Sequence, residues 1–110
     1  METGATLSVS DASFEKDVLQ STEPVVVDFF ADWCGPCKAM APALEQVATD
    51  MKGKVKVVKV DVDANPGITQ KYRIQAMPTL MIFKGGQVAA QRVGALVQKK
   101  QLTDWINGSI

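Results

Sequence analysis

Two runs of β-branched and aromatic residues constrain the fold more than any other feature of this sequence. Residues 25–30 are Val-Val-Val-Asp-Phe-Phe, and residues 54–62 have valine at 55, 57, 58, 60 and 62. Each run places apolar side chains on both faces of an extended chain, and the first run is too short for a helix. Strands of this kind lie in the interior of a sheet. We therefore expect a buried central sheet with helices on each side.

Helical spacing of apolar residues occurs on either side of the first run. Ser10 is predicted to cap a helix, with Val9 and Phe14 packed together as a hydrophobic staple. Apolar residues recur at helical spacing over residues 37–51, where Pro42 should kink the helix. The remaining predicted elements are strands at residues 6–9, 79–83 and 88–93, a short helix at 68–72, and a last helix containing Leu102, Trp105 and Ile106.

The predicted order of elements is β-α-β-α-β-α-β-β-α. Strands separated by helices predict parallel pairing, and Gly85-Gly86 predicts a hairpin that adds an antiparallel edge. This pattern is typical of an α/β fold with a central mixed sheet of about five strands flanked by about four helices. At 110 residues the chain has the usual size of one domain, so we expect a single domain over residues 1–110.

Charge and hydropathy exclude several classes of function. Twelve basic and twelve acidic residues cancel, so neither nucleic acid nor an anionic membrane is indicated as a partner. No apolar stretch approaches the roughly 18 residues of a membrane span. Residues 1–10 lack the basic start and apolar run of a secretory signal. These features favour a soluble cytoplasmic protein in a reducing compartment, with a cleaved precursor as the alternative.

The two cysteines of the chain, Cys34 and Cys37, lie between the first buried strand and the predicted helix. Unpaired amides and the positive end of the helix dipole stabilise a thiolate at a helix N-terminus. We therefore predict that Cys34 is the attacking nucleophile and that Cys37, one turn later, lies deeper. The spacing lets the sulfurs form a disulfide without a large backbone movement, and Pro36 suits the first turn.

Half a zinc site and a static disulfide are the two other interpretations of such a pair. A tetrahedral zinc site uses four ligands, usually cysteine or histidine, and this chain has two cysteines and no histidine. A bridge across so short a loop would restrict the unfolded chain only a little. A C-x-x-C inside a βαβ pattern therefore favours redox chemistry without a metal.

Asp28 interrupts the first apolar run and is a candidate for proton exchange. Complete burial raises the pKa of a carboxyl group by up to ~3–5 units, which brings it near neutrality. The alternative is a carboxylate held by backbone donors. Lys59 shares a strand face with Val55 and Val57. It therefore points either toward Asp28, whose carboxyl group it would modulate, or outward along the surface.

A series of short blocks occurs in the order and spacing of one known family. They are Val27-Asp28-Phe29, Trp33-Cys34-Gly35-Pro36-Cys37-Lys38, Ala41-Pro42, Asp63 with Asn65-Pro66-Gly67, Met77-Pro78-Thr79, Phe83-Lys84-Gly85-Gly86 and Val93-Gly94-Ala95-Leu96. Through these blocks the chain resembles the thioredoxin family over essentially its whole length. Phe30 stands where many members carry a second tryptophan, and residues 94–102 are one residue longer than in the common bacterial form. Neither difference touches the cysteine pair.

The resemblance implies roles for residues around the two cysteines. Asp28 would accept the proton of Cys37, and Met77-Pro78 would form a cis peptide against the dithiol. The alternatives are a trans proline at a strand edge and a Trp33 that only packs. The implied substrate-binding residues are Trp33, Met77, Gly94 and Ala95, and the implied modulating residues are Lys59, Gly35, Pro36 and Pro78.

The same resemblance implies a protein-disulfide reductase. Cys34 would attack a target disulfide, and Cys37 would resolve the mixed disulfide, leaving a Cys34–Cys37 disulfide. No bound cofactor is expected, because thioredoxin reductase would restore the dithiol with electrons from NADPH; a ferredoxin-linked reductase is the alternative. We expect a monomer whose partners are that reductase and disulfide-containing proteins. An oxidase or isomerase, and a non-catalytic subunit of a larger assembly, are the rival interpretations.

Overall fold

The computed structural model of the protein describes residues 5–110. Its elements follow the predicted alternation, so the predicted α/β class is confirmed. In chain order they are β1 (Leu7–Ser8), a short π-type helix (Glu15–Leu19), β2 (Val25–Phe30), α1 (Gly35–Asp50), β3 (Lys56–Asp61), α2 (Pro66–Lys71), β4 (Thr79–Lys84), β5 (Gln87–Val93) and α3 (Lys99–Asn107). Among the described residues, no helix has both the length and the apolar character needed to cross a membrane.

The strands form one mixed sheet in the order β1-β3-β2-β4-β5. β3 pairs in parallel with β1 and β2, whereas β4 is antiparallel to both β2 and β5. Val18 of the short helix and Ile68 of α2 pack against one face of the sheet. Leu44 of α1 and Leu102 of α3 pack against the other face. Helices therefore cover both faces, as the two double-sided strands require.

The direction of β4 differs from the prediction. A helix separates β3 from β4, which predicted a parallel strand, but β4 pairs antiparallel with β2. The six residues of α2 span about 9 Å, whereas a six-residue strand spans about 20 Å. Because α2 is too short to run back along the sheet, the chain enters β4 at the end of the sheet where β3 finishes. The two cysteines follow β2 at this same end of the sheet.

The start of the short helix also differs from the prediction. Phe14, and not Ser10, occupies the cap position, and no side chain within residues 5–110 caps this helix with a hydrogen bond. Ser10 instead closes a turn. The backbone amide of Ser13 donates to the carbonyl oxygen of Ser10 at 3.1 Å and to the hydroxyl oxygen of Ser10 at 3.3 Å. The neighbouring Asp11 accepts hydrogen bonds from the first amides of α2. This long-range contact holds residues 10–13 as a turn and delays the helix by one turn.

The hairpin between β4 and β5 forms at Gly85 and Gly86, as predicted. Their φ angles are 58° and 81°, a region that residues with a Cβ rarely adopt. A Cβ on Gly86 would also lie 3.0 Å from the carbonyl oxygen of Leu19. The turn therefore requires glycine both for its conformation and for its contact with the short helix.

Candidate active site

Cys34 occupies the cap position of α1, directly after the loop that follows β2. Its backbone is extended, with φ −88° and ψ 108°, and its amide donates to the carbonyl oxygen of Ala31 at 3.1 Å. Pro36 lies in the first turn, where a missing amide hydrogen breaks no helical hydrogen bond. The buried strand and the helix start thus hold the Cys34 sulfur at the positive end of the α1 dipole, as predicted.

The two sulfurs are joined in a disulfide, with the Cα atoms 5.3 Å apart. The backbone amide of Cys37 donates a hydrogen bond to the sulfur of Cys34 at 3.2 Å. A hydrogen bond of this kind favours the negatively charged form of an acceptor. In a reduced form that kept this contact, the same amide would favour a thiolate on Cys34. The geometry therefore distinguishes the two sulfurs chemically.

Exposure does not distinguish them, and the prediction that Cys37 lies deeper is wrong. Cys34 is 4% exposed and Cys37 is 5% exposed. The covering group is remote in sequence: the carbonyl oxygen of Met77 lies 3.5 Å from the Cys34 sulfur. The loop before β4 thus shields the first sulfur from solvent.

The structure confirms the predicted cis peptide between Met77 and Pro78. The carbonyl oxygen of Pro78 accepts a hydrogen bond from the Gly94 amide at 2.9 Å. Gly94 has a φ of 105°, which favours glycine. A chain of short contacts therefore joins Cys34, Met77, Pro78 and Gly94 into one surface. Ala95 follows Gly94, but it packs toward the apolar cluster beneath α1 and α3.

Trp33 is a surface residue and not part of the core. Its side chain is 67% exposed, so the alternative that it only packs is wrong. The indole nitrogen donates a hydrogen bond to Asp63 Oδ2 at 2.8 Å. The sequence places Asp63 in one of the family blocks but does not indicate a role for it. Because the two residues are 30 positions apart, no local pattern could have paired them.

Asp28 is almost completely buried, at 1% exposure. In the sheet it lies opposite Lys59 of β3 and Leu80 of β4. Burial raises the pKa of Asp28 from 3.8 to about 7, and the positive charge of Lys59 opposes part of this rise. Among the residues that the structure describes, none forms a hydrogen bond with the buried Oδ1 atom. This oxygen is therefore not held by backbone donors, and the carboxyl group can exchange a proton near neutral pH.

Lys59 lies on the same sheet face as Asp28, as the inward orientation requires, but its ammonium group lies against Phe30 and forms no ion pair with Asp28. Its Nζ atom lies 4.6 Å from the centroid of the Phe30 ring. A cavity of about 120 Å³ is lined by Lys59, Phe30 and Cys37 together with Ala31, Asp32, Lys38 and Ala41. Such a volume has room for water. The cavity therefore lies between Cys37 and Lys59, the residue directly opposite Asp28 in the sheet.

A metal site in a protein needs several side chains with nitrogen, oxygen or sulfur ligands close together. Within residues 5–110, no group of three or more histidine, cysteine, aspartate or glutamate side chains is arranged to hold a metal ion.

Comparison with known proteins gives the same result over nearly the whole chain. The family model described as thioredoxin matches residues 5–108. The thioredoxin of Rhodospirillum rubrum is 54% identical over 102 residues, which cover 93% of this chain and 97% of that protein. The thioredoxin of Rickettsia felis is 50% identical over 103 residues, with 94% and 97% covered. The thioredoxin of Pseudomonas aeruginosa is 50% identical over 104 residues, with 94% and 95% covered.

The fold, the cysteine pair and these relatives agree. A C-x-x-C at the start of a helix, closed into a disulfide, is the redox-active pair that a thiol-disulfide oxidoreductase needs. The chain therefore belongs to the thioredoxin family of thiol-disulfide oxidoreductases, and Cys34 and Cys37 are its redox-active cysteines.

Proposed function

We propose that the chain reduces disulfides in target proteins and that Cys34 is the attacking sulfur. The observation that carries this assignment is the hydrogen bond from the Cys37 amide to the Cys34 sulfur, 3.2 Å long. A Cys34 thiolate attacks one sulfur of the target, and the other target sulfur leaves as a thiolate. The Cys37 thiolate then attacks Cys34 and releases the second target sulfur. Two electrons pass to the target, and the Cys34–Cys37 disulfide remains.

Asp28 is the proton acceptor for Cys37 in this proposal. An acid with a pKa of about 7 exists in both protonation states near neutral pH, so it can accept a proton and release it again. Lys59, its direct neighbour across the sheet, lines a cavity with Cys37. Water in that cavity would carry the proton from the sulfur toward the carboxylate.

Targets dock on the surface around the Cys34 sulfur. The exposed Trp33 ring, the half-buried Met77 and the Gly94 backbone supply a weakly polar surface. The half-buried Ala95 extends this surface through its backbone, while its side chain packs toward the apolar cluster beneath α1 and α3. An extended target segment approaches closely where Gly94 has no side chain. Gly35, Pro36, Pro78 and Lys59 modulate the reaction by shaping the turn, the loop before β4 and the charge near Asp28.

Thioredoxin reductase restores the dithiol in this proposal, with electrons that come from NADPH and without a cofactor bound to the chain. Disulfide-containing proteins are the other partners. The family membership supports both assignments. We further propose that residues 1–110 form a single thioredoxin domain that acts as a monomer in the cytoplasm.

The test is an NADPH-coupled assay. The oxidised protein is incubated with thioredoxin reductase, NADPH and a disulfide-containing protein, and NADPH oxidation is followed at several concentrations of the chain. We expect the rate of NADPH oxidation to be proportional to the concentration of the chain, and we expect no oxidation with the Cys34→Ser variant. A rate that does not depend on the concentration of the chain would contradict the proposed function. Replacing the reductase and NADPH with a ferredoxin-linked system identifies the electron source.

A further inference from the structure

Lys59 and Phe30 contact each other on the sheet face that carries Asp28. Side chains alternate between faces along a strand, so Phe30, two residues after Asp28, lies on the same face of β2. Lys59 stands directly opposite Asp28 on β3, which makes Phe30 its diagonal neighbour. The Lys59 ammonium lies 4.6 Å from the centre of the Phe30 ring. At this distance the face of the ring attracts the cation.

Asp28 forms no ion pair with Lys59, although the two residues are direct neighbours. Within residues 5–110 the ion pairs are Lys99 with Asp50 and Lys100 with Asp104. Asp28 Oδ1 is buried and has no hydrogen-bond partner within the described part of the chain. The ammonium thus lies with the ring, toward the end of β2 at which the cysteines are found, and acts on the carboxyl group only through space.

Other ionisable groups surround the Lys59 side chain. Three cavities, of about 120, 370 and 200 Å³, are each lined in part by Lys59. On β4 the neighbour of Asp28 is the apolar Leu80, so this side contributes no charge. The charged or titratable groups that line these cavities with Lys59 are Asp32 before α1, Cys37, Lys38 and Glu45 on α1, and Asp61 on β3.

We propose that Phe30 is a positioning residue for the Lys59 ammonium, and that by holding the cation away from Asp28 it sets the affinity of this carboxyl group for a proton. Without the ring, the long Lys59 side chain loses its apolar contact, and the residue directly opposite it on β2 is the buried Asp28. A closer cation favours the carboxylate. The step from this affinity to the rate of disulfide reduction rests on the proposed role of Asp28.

The test measures the Asp28 carboxyl group directly. The oxidised protein, labelled with ¹³C at aspartate carboxyl groups, is titrated by NMR, and Asp28→Asn assigns the signal. The oxidised form is chosen because its cysteines do not titrate and so cannot couple to Asp28. Phe30→Leu removes the ring and keeps an apolar side chain; Phe30→Met does the same if the leucine variant does not fold. Phe30→Tyr keeps the ring and is the matched control.

We expect Phe30→Leu to lower the pKa of Asp28 by roughly one unit and Phe30→Tyr to leave it unchanged. In a Lys59→Met background, the same Phe30→Leu change should shift the pKa by less than about 0.3. Lys38→Met, which removes the other cavity lysine, should leave the full effect of Phe30→Leu in place. An unshifted pKa in Phe30→Leu, or an equal shift without Lys59, overturns the proposal.

The same variants separate this proposal from the proposed function. The pH dependence of target reduction is measured for Phe30→Leu and Phe30→Tyr beside the NMR titration. If the pKa falls and the pH profile moves to lower pH with it, both assignments hold. If the pKa falls and the pH profile stays in place, Phe30 positions Lys59 as proposed, and the role of Asp28 as proton acceptor is wrong.

Discussion

Replacing Asp28 with asparagine should stabilise the protein in a strongly pH-dependent way. Burial raises the pKa of Asp28 from 3.8 to about 7. Between these two pH values the folded chain keeps the carboxyl proton, whereas the unfolded chain has released it. Raising the pH therefore favours unfolding. The stability present below about pH 3.8 is lost as the pH rises through about 7, and above that pH the loss is complete.

The size of this effect follows from the two pKa values. One pKa unit corresponds to about 1.4 kcal/mol, so the rise from 3.8 to about 7 corresponds to about 4 kcal/mol. An asparagine side chain does not ionise, so the Asp28→Asn variant does not lose this stability as the pH rises. The asparagine side-chain amide would occupy the site where, among the described residues, Asp28 Oδ1 has no hydrogen-bond partner. Burying an unsatisfied polar group there lowers the free energy of unfolding by about 1–3 kcal/mol at every pH. This constant cost cancels when two pH values are compared.

Urea denaturation of the oxidised proteins from about pH 4 to about pH 8.5 measures the effect. The free energy of unfolding of Asp28→Asn minus that of the wild type should be about 3–4 kcal/mol larger at the upper pH than at the lower. Asp32→Asn, the same substitution at an exposed site, controls for the loss of one formal charge. Parallel stability curves for the wild type and Asp28→Asn would refute the reasoning.

Three further substitutions test individual contacts. Asp63→Ala removes the hydrogen-bond acceptor of the Trp33 indole, so it should change the tryptophan fluorescence. It should also raise the KM for a protein disulfide about fivefold at constant kcat. An unchanged KM would show that this hydrogen bond does not contribute to target docking. Asp11→Ala removes the acceptor of two amides at the start of α2 and should lower the free energy of unfolding by about 1 kcal/mol, measured with urea. Gly94→Ala places a Cβ at a φ of 105° and should lower the free energy of unfolding by about 1–3 kcal/mol. Gly35→Ala is the control, because Gly35 does not have a positive φ, and it should lower the free energy of unfolding by less. Equal losses in the two variants would argue against backbone strain at Gly94.

Local patterns predicted most of the elements, because each depends on residues close together in the chain. The double-sided valine runs predicted β2 and β3 as interior strands, and the paired glycines predicted the hairpin. The position of Cys34 at a helix start followed from the change of period after residue 30. The cis peptide before Pro78 is different, since only the family resemblance predicted it.

Long-range contacts account for what the sequence did not predict. Asp11 binds the start of α2, 56 residues away, and this explains why Ser10 closes a turn and caps no helix. The Met77 carbonyl covers Cys34 across 43 residues, and so the two cysteines are equally buried. The direction of β4 depends on whether α2 is long enough to carry the chain back along the length of the strands. The spacing of apolar residues predicts that a helix forms but does not predict this outcome. Partners such as Asp63 for Trp33 are likewise defined only after the chain has folded.

The division of labour between the two sulfurs is the central claim, and trapping of mixed disulfides tests it most directly. Cys34→Ser and Cys37→Ser are each incubated with oxidised target proteins, and the covalent products are released with dithiothreitol and identified by mass spectrometry. Cys37→Ser keeps the attacking thiolate and lacks the resolving one, so target proteins should accumulate on Cys34. Cys34→Ser should trap none. Accumulation on Cys34→Ser with none on Cys37→Ser would contradict the assignment of Cys34 as the nucleophile.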